Sequence, residues 1–228
     1  LGELYHGEAA YIHDLRWQMY EEEIGTGSWR TLQYEKKKGN LYPTHGLGPV
    51  SQYMNLLRTE DTFKSLISFS SPALGREKFA RENFKENHKW NKLNYQNGDI
   101  NTTVIKTYLG RTIMVQWDET SPRPYTRLNL IQGTKGILAG GPTRAAFDNG
   151  FEGYTKDAEE WIIGEGINAL YEKYDHPMYK RLNKITQDSG HGGMDGMMVY
   201  RIIECLRKGK PLDQNVYEGC AWSSLIEL

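Results

Sequence analysis

Alternating apolar and polar residues run through much of the first two thirds of the chain and predict a β-sheet. The first strand, over residues 3–13, carries apolar side chains on both faces, which is typical of a strand inside a sheet. Further strands are predicted at residues 63–71, 100–108, 112–118, 125–132 and 135–139. Short turns join the last four strands in two hairpins, so these strands are expected to be antiparallel. The sequence GGP that follows them is expected to end the series of strands.

Apolar residues at helical spacing predict helices between and after these strands, most clearly toward the C-terminus. The predicted helices cover residues 75–87, 158–163, 168–174, 177–185 and 194–207, and Asp213 is expected to cap a last helix. Strands followed mainly by helices indicate an α+β fold, with an open, mostly antiparallel sheet and helices packed on one of its faces. Residues 1–228 are expected to form a single domain of this kind.

The turn with the sequence NLYPTHGLGPV holds a phenol and an imidazole close together. Pro43 keeps Tyr42 out of the helical region, and Thr44 can then cap a helix over residues 45–57. Free N–H groups and the positive end of the dipole lie at such a helix start, so Tyr42 and His45 could exchange protons with a bound polar ligand there. The alternative is that the two rings only pack beneath the helix.

Composition narrows the classes of function. A net charge of −1 gives no field that would attract nucleic acid or an anionic membrane, and no apolar run reaches the ~18–20 residues of a membrane span. Cys205 and Cys220 are too few for a disulfide framework and are expected to be small core residues. The 15 Tyr and 6 Trp residues suit sugar binding, because each combines a flat apolar face with a polar group.

Several standard chemical motifs are missing from the sequence. It has no G-x-G-x-x-G or Walker loop for a dinucleotide, no H-E-x-x-H or paired C-x-x-C for a metal, and no G-x-S-x-G elbow. No metal site is therefore expected. Polar and aromatic side chains do collect in several short segments. Taken alone, these segments favour a structural role over a functional one, except the segment around His191, which favours neither.

In their order along the chain, these segments resemble the glycoside hydrolase family 109 enzymes, which are NAD-dependent α-N-acetylgalactosaminidases of the Gfo/Idh/MocA oxidoreductase superfamily. The matching segments are GEL (2–4), AYIHDLR (10–16), WR (29–30), NLYPTHGLGPV (40–50), SFSSP (68–72), RPY (123–125), QGTKG (132–136), HGGMD (191–195) and PLD (211–213). The family carries an N-terminal Rossmann domain that is missing from this chain. The resemblance therefore implies that residues 1–228 are the C-terminal, substrate-side domain of a larger protein.

The resemblance also implies a redox-assisted hydrolysis. NAD⁺ oxidises the sugar C3 hydroxyl, a base removes the acidified C2 proton, the C1 substituent is eliminated, water adds, and the hydride returns. By position in the motifs, the sugar site would be formed by Tyr11, Arg30, Tyr42, His45 and Tyr125. Tyr42 would also contact the nicotinamide, and Glu3 would contact the cofactor at the domain interface. His45 would take the C3 hydroxyl proton, and Tyr42 would be the C2 base or share that proton.

The loop with the sequence GHGGMD supplies two further candidates, His191 and Asp195, at the start of a helix. The expected partners are an N-acetylgalactosamine-type sugar, the N-terminal Rossmann domain, and a second copy of the chain bound through the sheet face. The resemblance favours a periplasmic or secreted bacterial protein. Two other interpretations remain open: a sugar oxidoreductase of the same superfamily that cleaves no glycosidic bond, and a carbohydrate-binding domain without catalysis.

Overall fold

The computed structural model describes residues 1–23, 29–58 and 61–228. Within them lie seven strands: β1 (Leu4–Ile12), β2 (Phe63–Ser70), β3 (Ile100–Thr107), β4 (Thr112–Asp118), β5 (Leu130–Gly133), β6 (Gly136–Ala139) and β7 (Arg144–Phe147). They form one sheet in the order β2-β3-β4-β1-β5-β6-β7. β1 and β4 run parallel, and every other neighbouring pair is antiparallel. The predicted α+β fold with a mostly antiparallel sheet is therefore confirmed.

β1 lies in the middle of the sheet, as its two apolar faces predicted. It pairs with β4 on one side, where Ala9 faces Val115 and Tyr11 faces Trp117, and with β5 on the other side. Apolar side chains on both faces are typical of a strand inside a sheet, where other parts of the chain can cover both faces. The C-terminal half of β1, from Ala9 to Ile12, is buried.

The helices are α1 (Trp29–Lys36), α2 (Thr44–Tyr53), α3 (Gly75–Asn83), α4 (Glu165–Tyr174), α5 (Pro177–Thr186), α6 (Met194–Arg207) and α7 (Val216–Ser223). The main core lies where α2 and α7 cover one face of the sheet, and it includes Leu47, Val50 and Trp222. The opposite face is open near β2 and β3, where Ile67, Phe69 and Val104 are exposed. This arrangement confirms the helices on one face. Association of two copies through the open face stays a prediction.

Two expectations about the second half of the chain are wrong. The sequence GGP does not end the sheet, because Gly141, with φ 59°, turns the chain back into β7, which pairs with β6. Residues 158–163 do not form a helix, since Ile162 forms an antiparallel bridge with Ala145 and packs beside Ile167 of α4. Apolar spacing in this short segment reflects contact with the sheet edge. None of the helices in the described residues is long and apolar enough to cross a membrane.

The predicted ends of two helices also need correction. Thr44 is the first residue of α2 and not its cap; Pro43 holds the capping position without a side-chain hydrogen bond. α2 ends at Tyr53 and does not reach residue 57, because Asn55 and Leu57 have φ values of 52° and 67°, which no right-handed helix contains.

The last helix and one cysteine differ from expectation as well. Asn215, not Asp213, caps α7, since its side chain accepts hydrogen bonds from the N–H groups of Tyr217 and Glu218 at 3.0 and 3.1 Å. Asp213 forms an ion pair with Arg201 instead. Cys205 is buried as predicted, whereas the Cys220 side chain is exposed.

Candidate active site

The site begins where α2 lies directly on the backbone of β1. A Cβ atom added at Gly46 would lie 2.6 Å from the Ala10 nitrogen and 2.7 Å from the Ala10 oxygen. Only glycine allows this approach without a shift of the helix or the strand. The contact brings the first turn of α2 against the buried end of β1, and it places the His45 ring 4.6 Å from the Tyr11 ring.

Four aromatic rings from three separate segments of the chain meet at this point. The edges or faces of Tyr42, His45 and Tyr125 lie around the Tyr11 ring, with centroid distances of 5.0, 4.6 and 6.4 Å. Tyr42 and His45 stack at 5.2 Å with an interplanar angle of 25°. Tyr11 is buried while Tyr125 is 50% exposed, so the cluster extends from the core to the surface. Four of the five predicted sugar-site residues are therefore in contact.

His45 has an unusual environment. Its Nε2 atom is buried and has no hydrogen-bond partner, whereas buried polar atoms in proteins normally have one. The pKa of His45 is lowered to about 4, mainly by burial and to a smaller extent by the charges of Arg127, His191 and His13. The imidazole is thus neutral at physiological pH, and its Nε2 atom can bond to a hydroxyl group of a ligand.

Tyr11 is hydrogen-bonded to a histidine that the site prediction missed. The Tyr11 Oη and His13 Nδ1 atoms are 3.1 Å apart, and the His13 ring lies 5.0 Å from the Tyr125 ring. Burial is the main reason why the pKa of Tyr11 rises to about 12, so this residue stays a neutral phenol. Burial and the charge of Arg30 lower the pKa of His13. Residues two apart in a strand point to the same face, so the sequence could have placed His13 beside Tyr11. His13 lies just past the end of β1, however, where this rule is less strict.

Arg30, the fifth predicted sugar-site residue, lies at the edge of the cluster. Its guanidinium carbon is 4.6 Å from the centre of the Trp29 ring and 5.7 Å from the centre of the Tyr42 ring. Its Nε and Nη1 atoms donate hydrogen bonds to Glu119 and Gln18, both at 3.1 Å. Sequence reasoning missed these two acceptors, because neither is close to Arg30 along the chain. A cation therefore lies beside the aromatic cluster.

A second cation that the sequence did not single out lies on the exposed side of the cluster. The Arg127 Nε atom donates a hydrogen bond to the Tyr125 Oη at 2.5 Å. Its guanidinium carbon also lies 5.8 Å from the centre of the Tyr125 ring. The site thus combines phenol groups, a neutral imidazole and two guanidinium groups. Such a set suits a ligand rich in hydroxyl groups, since it offers donors, an acceptor and apolar ring faces.

Of the remaining predicted residues, Glu3 lies away from the cluster, whereas His191 is near enough for its charge to act on His45. Glu3 is exposed and precedes β1, and at about 3.3 Å per residue it lies roughly 25 Å from Tyr11 along the strand. The His191 Nδ1 atom is 3.0 Å from both carboxylate oxygens of Asp195 in an exposed turn before α6. Functional roles for Glu3, His191 and Asp195 stay predictions. Among the described residues, no group of three His, Cys, Asp or Glu side chains is arranged to hold a metal ion.

The chain is similar in sequence to glycosyl hydrolase 109 proteins. The model of the glycosyl hydrolase 109 C-terminal domain matches residues 1–228. Glycosyl hydrolase family 109 protein 1 of Akkermansia muciniphila is 60% identical over 230 residues, which are 100% of this chain and 47% of that protein. A glycosyl hydrolase family 109 protein of Shewanella baltica is 57% identical over 223 residues, which are 97% of this chain and 48% of that protein. The chain thus spans about half the length of the curated relatives that it matches.

Solved structures with a similar fold include two oxidoreductases. A levoglucosan dehydrogenase in complex with NADH and levoglucosan has a TM-score of 0.57 at 13% identity, covering 99% of this chain and 56% of that one. An NAD-binding oxidoreductase from Klebsiella pneumoniae has a TM-score of 0.59 at 14% identity, and the match covers 100% of this chain and 56% of that one. At such low identity this similarity establishes the fold alone. The match of the family model to the whole chain establishes that the chain belongs to the glycosyl hydrolase 109 family and corresponds to its C-terminal domain.

Proposed function

We propose that this chain is the substrate-side domain of a glycosidase that acts on terminal N-acetylgalactosaminides and uses NAD as a recycled cofactor. The observation that carries the proposal is the buried, unpartnered Nε2 atom of a neutral His45 inside a cluster of tyrosines. A sugar hydroxyl would provide the missing hydrogen-bond partner. The relatives named as family 109 glycosyl hydrolases support the same assignment.

The residues of the cluster fit a sugar that lies against a nicotinamide. Tyr42 is half-buried and stacks on His45, so one ring can contact the cofactor while its neighbour contacts the sugar. When bound, NAD supplies the oxidation of the C3 hydroxyl and the final reduction of the product. An N-terminal Rossmann domain of the same protein would hold it. Glu3 would contribute only at the domain interface, because it lies far from the cluster along β1.

The proton transfers fall to side chains of this chain. His45 would accept the proton of the C3 hydroxyl at Nε2, for which a neutral imidazole is required. Tyr42 would remove the C2 proton, or would share the C3 hydroxyl proton with His45. The C1–O bond to the leaving group then breaks, and the leaving oxygen takes up the proton that was removed from C2. A water molecule adds its hydroxyl group to C1 and its proton to C2. Tyr11 stays a phenol and would donate a hydrogen bond to a sugar oxygen. Arg30 and Tyr125 would hold other sugar oxygens or the acetamido group.

The direct test uses the full-length protein with NAD⁺ and a p-nitrophenyl N-acetylgalactosaminide. We expect release of p-nitrophenol without net formation of NADH, and in D₂O we expect deuterium at C2 of the released sugar. His45→Ala should nearly abolish turnover while calorimetry still detects binding of N-acetylgalactosamine. The matched control is His6→Ala, since His6 lies near the other end of β1 and bonds to Thr112. Near-normal turnover of the His45 variant would remove this residue from the mechanism.

A second candidate function is a sugar oxidoreductase without glycosidic cleavage. The fold that the chain shares with a levoglucosan dehydrogenase favours it. Such an enzyme would form one NADH for each sugar oxidised and would release no p-nitrophenol. Binding of the sugar with neither product would instead indicate a carbohydrate-binding domain.

A further inference from the structure

A buried carboxylate lies behind Arg30. Glu119 directly follows β4, and its side chain is 1% exposed, while that of Arg30 is 13% exposed. The Glu119 Oε1 atom accepts the hydrogen bond from Arg30 Nε at 3.1 Å. A buried ion pair is weak evidence for stability, but loss of one partner leaves the other charge buried and unpaired. Arg30 therefore depends on Glu119 more than an exposed arginine would depend on its partner.

The orientation of the guanidinium group is set from three sides. Glu119 binds Nε, the amide oxygen of Gln18 accepts from Nη1 at 3.1 Å, and the Trp29 ring covers the group at 4.6 Å. Gln18 comes from the segment before α1 and Glu119 from the end of β4, and of these two acceptors only Glu119 carries a charge. Hydrogen bonds between ionised groups are about twice as strong as neutral ones. The carboxylate is therefore the main determinant of where Arg30 points.

The backbone around Glu119 is itself held firmly. Its carbonyl oxygen accepts from the Leu15 N–H at 3.1 Å, and the Asp118 carbonyl accepts from the His13 N–H at 2.9 Å. The Asp118 side chain accepts from the N–H groups of the two residues after Glu119, both at 3.0 Å. These bonds tie the end of β4 to the segment just after β1. Glu119 thus has a rigid base beside the strand that carries Tyr11.

A second arginine also faces this carboxylate. Arg76 of α3 is 1% exposed, lies 4.3 Å above the Tyr34 ring, and its charge acts on Glu119 together with that of Arg30. The Arg76 Nη1 atom donates to Thr31 at 3.0 Å. Two positive charges therefore act on Glu119, and one of them, Arg30, lies beside Tyr42 of the aromatic cluster.

We propose that Glu119 is a positioning residue of the active site: its buried carboxylate fixes the guanidinium group of Arg30 beside Tyr42, so that Arg30 meets the sugar in one orientation. The identity of the ligand rests on the function proposed above, whereas the fixation of Arg30 does not. Glu119 has no contact with the sugar in this proposal. Its effect on turnover passes entirely through Arg30.

The first test needs no enzymatic activity. In the full-length protein, the Arg30 Nε–H signal is identified in ¹⁵N NMR spectra as the one missing from Arg30→Lys. We expect it to exchange slowly with solvent in the unmodified protein, and at least roughly tenfold faster in Glu119→Gln, because the charged acceptor is gone. An exchange rate that is unchanged in Glu119→Gln overturns the proposal.

The second test is kinetic and uses the same aryl glycoside. Glu119→Gln should raise KM about tenfold, the equivalent of about 1.4 kcal/mol, with a smaller change in kcat. Glu119→Ala should lower kcat/KM by about 100-fold, since Arg30 is then misplaced. In an Arg30→Ala background, either substitution should cause little further loss of kcat/KM, because the two residues act as one unit. Full additivity of the two changes would contradict the proposal.

The control is Asp61→Asn, which makes the same chemical change, from a buried carboxylate to an amide, near the start of β4 and not at its end. Asp61 is also fully buried, and it accepts a hydrogen bond from Arg111 Nε at 2.6 Å. It lies beside the start of β4, about 20 Å from Glu119. Asp61→Asn can affect the assay only by reducing the amount of folded protein. Such a loss lowers the apparent kcat and leaves KM unchanged, so this variant should change only the apparent kcat. A KM raised equally in both variants overturns the positioning role.

The two proposals fail in different ways. If the unmodified protein releases no p-nitrophenol, the proposed glycosidase function fails, and the exchange of the Arg30 Nε–H still decides the role of Glu119. If turnover is normal and Glu119→Gln changes neither KM nor the exchange rate, the glycosidase function stands and the positioning role is wrong. Should Glu119→Ala fail to fold, Glu119→Gln alone decides, since its side chain has the same size.

Discussion

The substitution Gly46→Ala tests whether the contact between α2 and β1 sets the geometry of the site. The new Cβ atom would lie 2.6, 2.7 and 2.9 Å from the nitrogen, oxygen and carbonyl carbon of Ala10. Non-bonded atoms of this kind prefer separations of about 3.5 Å or more, so α2 must move away from β1 by about 1 Å. His45 directly precedes Gly46 and would move with the helix.

The expected losses of stability and of activity differ in size. Overpacking costs about 1–3 kcal/mol, while alanine in a helix is favoured over glycine by about 1 kcal/mol. The free energy of unfolding should therefore fall by only about 0–2 kcal/mol. A displacement of about 1 Å at a proton-transfer group can lower kcat/KM by about 100-fold, or about 2.7 kcal/mol of transition-state stabilisation. Gly46→Ala should thus reduce activity more than stability.

The assay combines urea denaturation with turnover of the aryl N-acetylgalactosaminide by the full-length protein. Gly219→Ala in α7 is the matched control, since a Cβ atom there meets nothing within 4 Å. This control should gain about 1 kcal/mol of stability and keep its turnover. If Gly46→Ala behaves like Gly219→Ala in both measurements, α2 does not rest on β1 in the way described, and the reasoning fails.

Two further predictions concern stability. The free energy of unfolding should fall as the pH drops from 6.5 toward about 4, because unfolded His45 binds a proton in this range while the buried imidazole, with its lowered pKa, does not. Urea denaturation across this range should give a smaller slope for His45→Ala, and an equal slope would contradict the assignment. Asn215→Ala should lower the free energy of unfolding by about 1 kcal/mol, because it removes the cap of α7 in which Glu218 also bonds back to the Asn215 N–H. The loss should exceed that from Asp213→Ala, whose ion pair with Arg201 is exposed; the reverse order would show that Asn215 is not the cap.

Local patterns in the sequence determined many of the elements. Residues 194–207 were predicted to be helical and form α6, and the predicted residues 112–118 form β4. The two apolar faces of residues 3–13 correctly indicated the central position of β1. Such predictions succeed because the period of the apolar residues, and the residues that end an element, act within a few positions of the chain.

Contacts between segments that are distant in sequence explain the elements that these local patterns did not predict. Residues 158–163 have apolar spacing that suits a helix, but contact with the edge of β7 holds Ile162 in an extended bridge. α2 ends early because the chain turns at Asn55, and β7 exists because the chain folds back at Gly141. Each of these outcomes depends on what lies next to the segment in space, which no local period contains.

The features of the site can also be separated into those that the sequence determined and those that the tertiary structure determined. Its motif residues Tyr11, Arg30, Tyr42, His45 and Tyr125 were identified from the sequence by resemblance, and the fold brings them together at one end of β1. The tertiary structure alone decided that a carboxylate after β4 lies behind Arg30 and that His13 bonds to Tyr11. It also decided that His45 is neutral, because desolvation depends on burial by segments from across the chain. The sequence by itself thus determined which chemical groups are available, while packing determined which of them meet and in what protonation state.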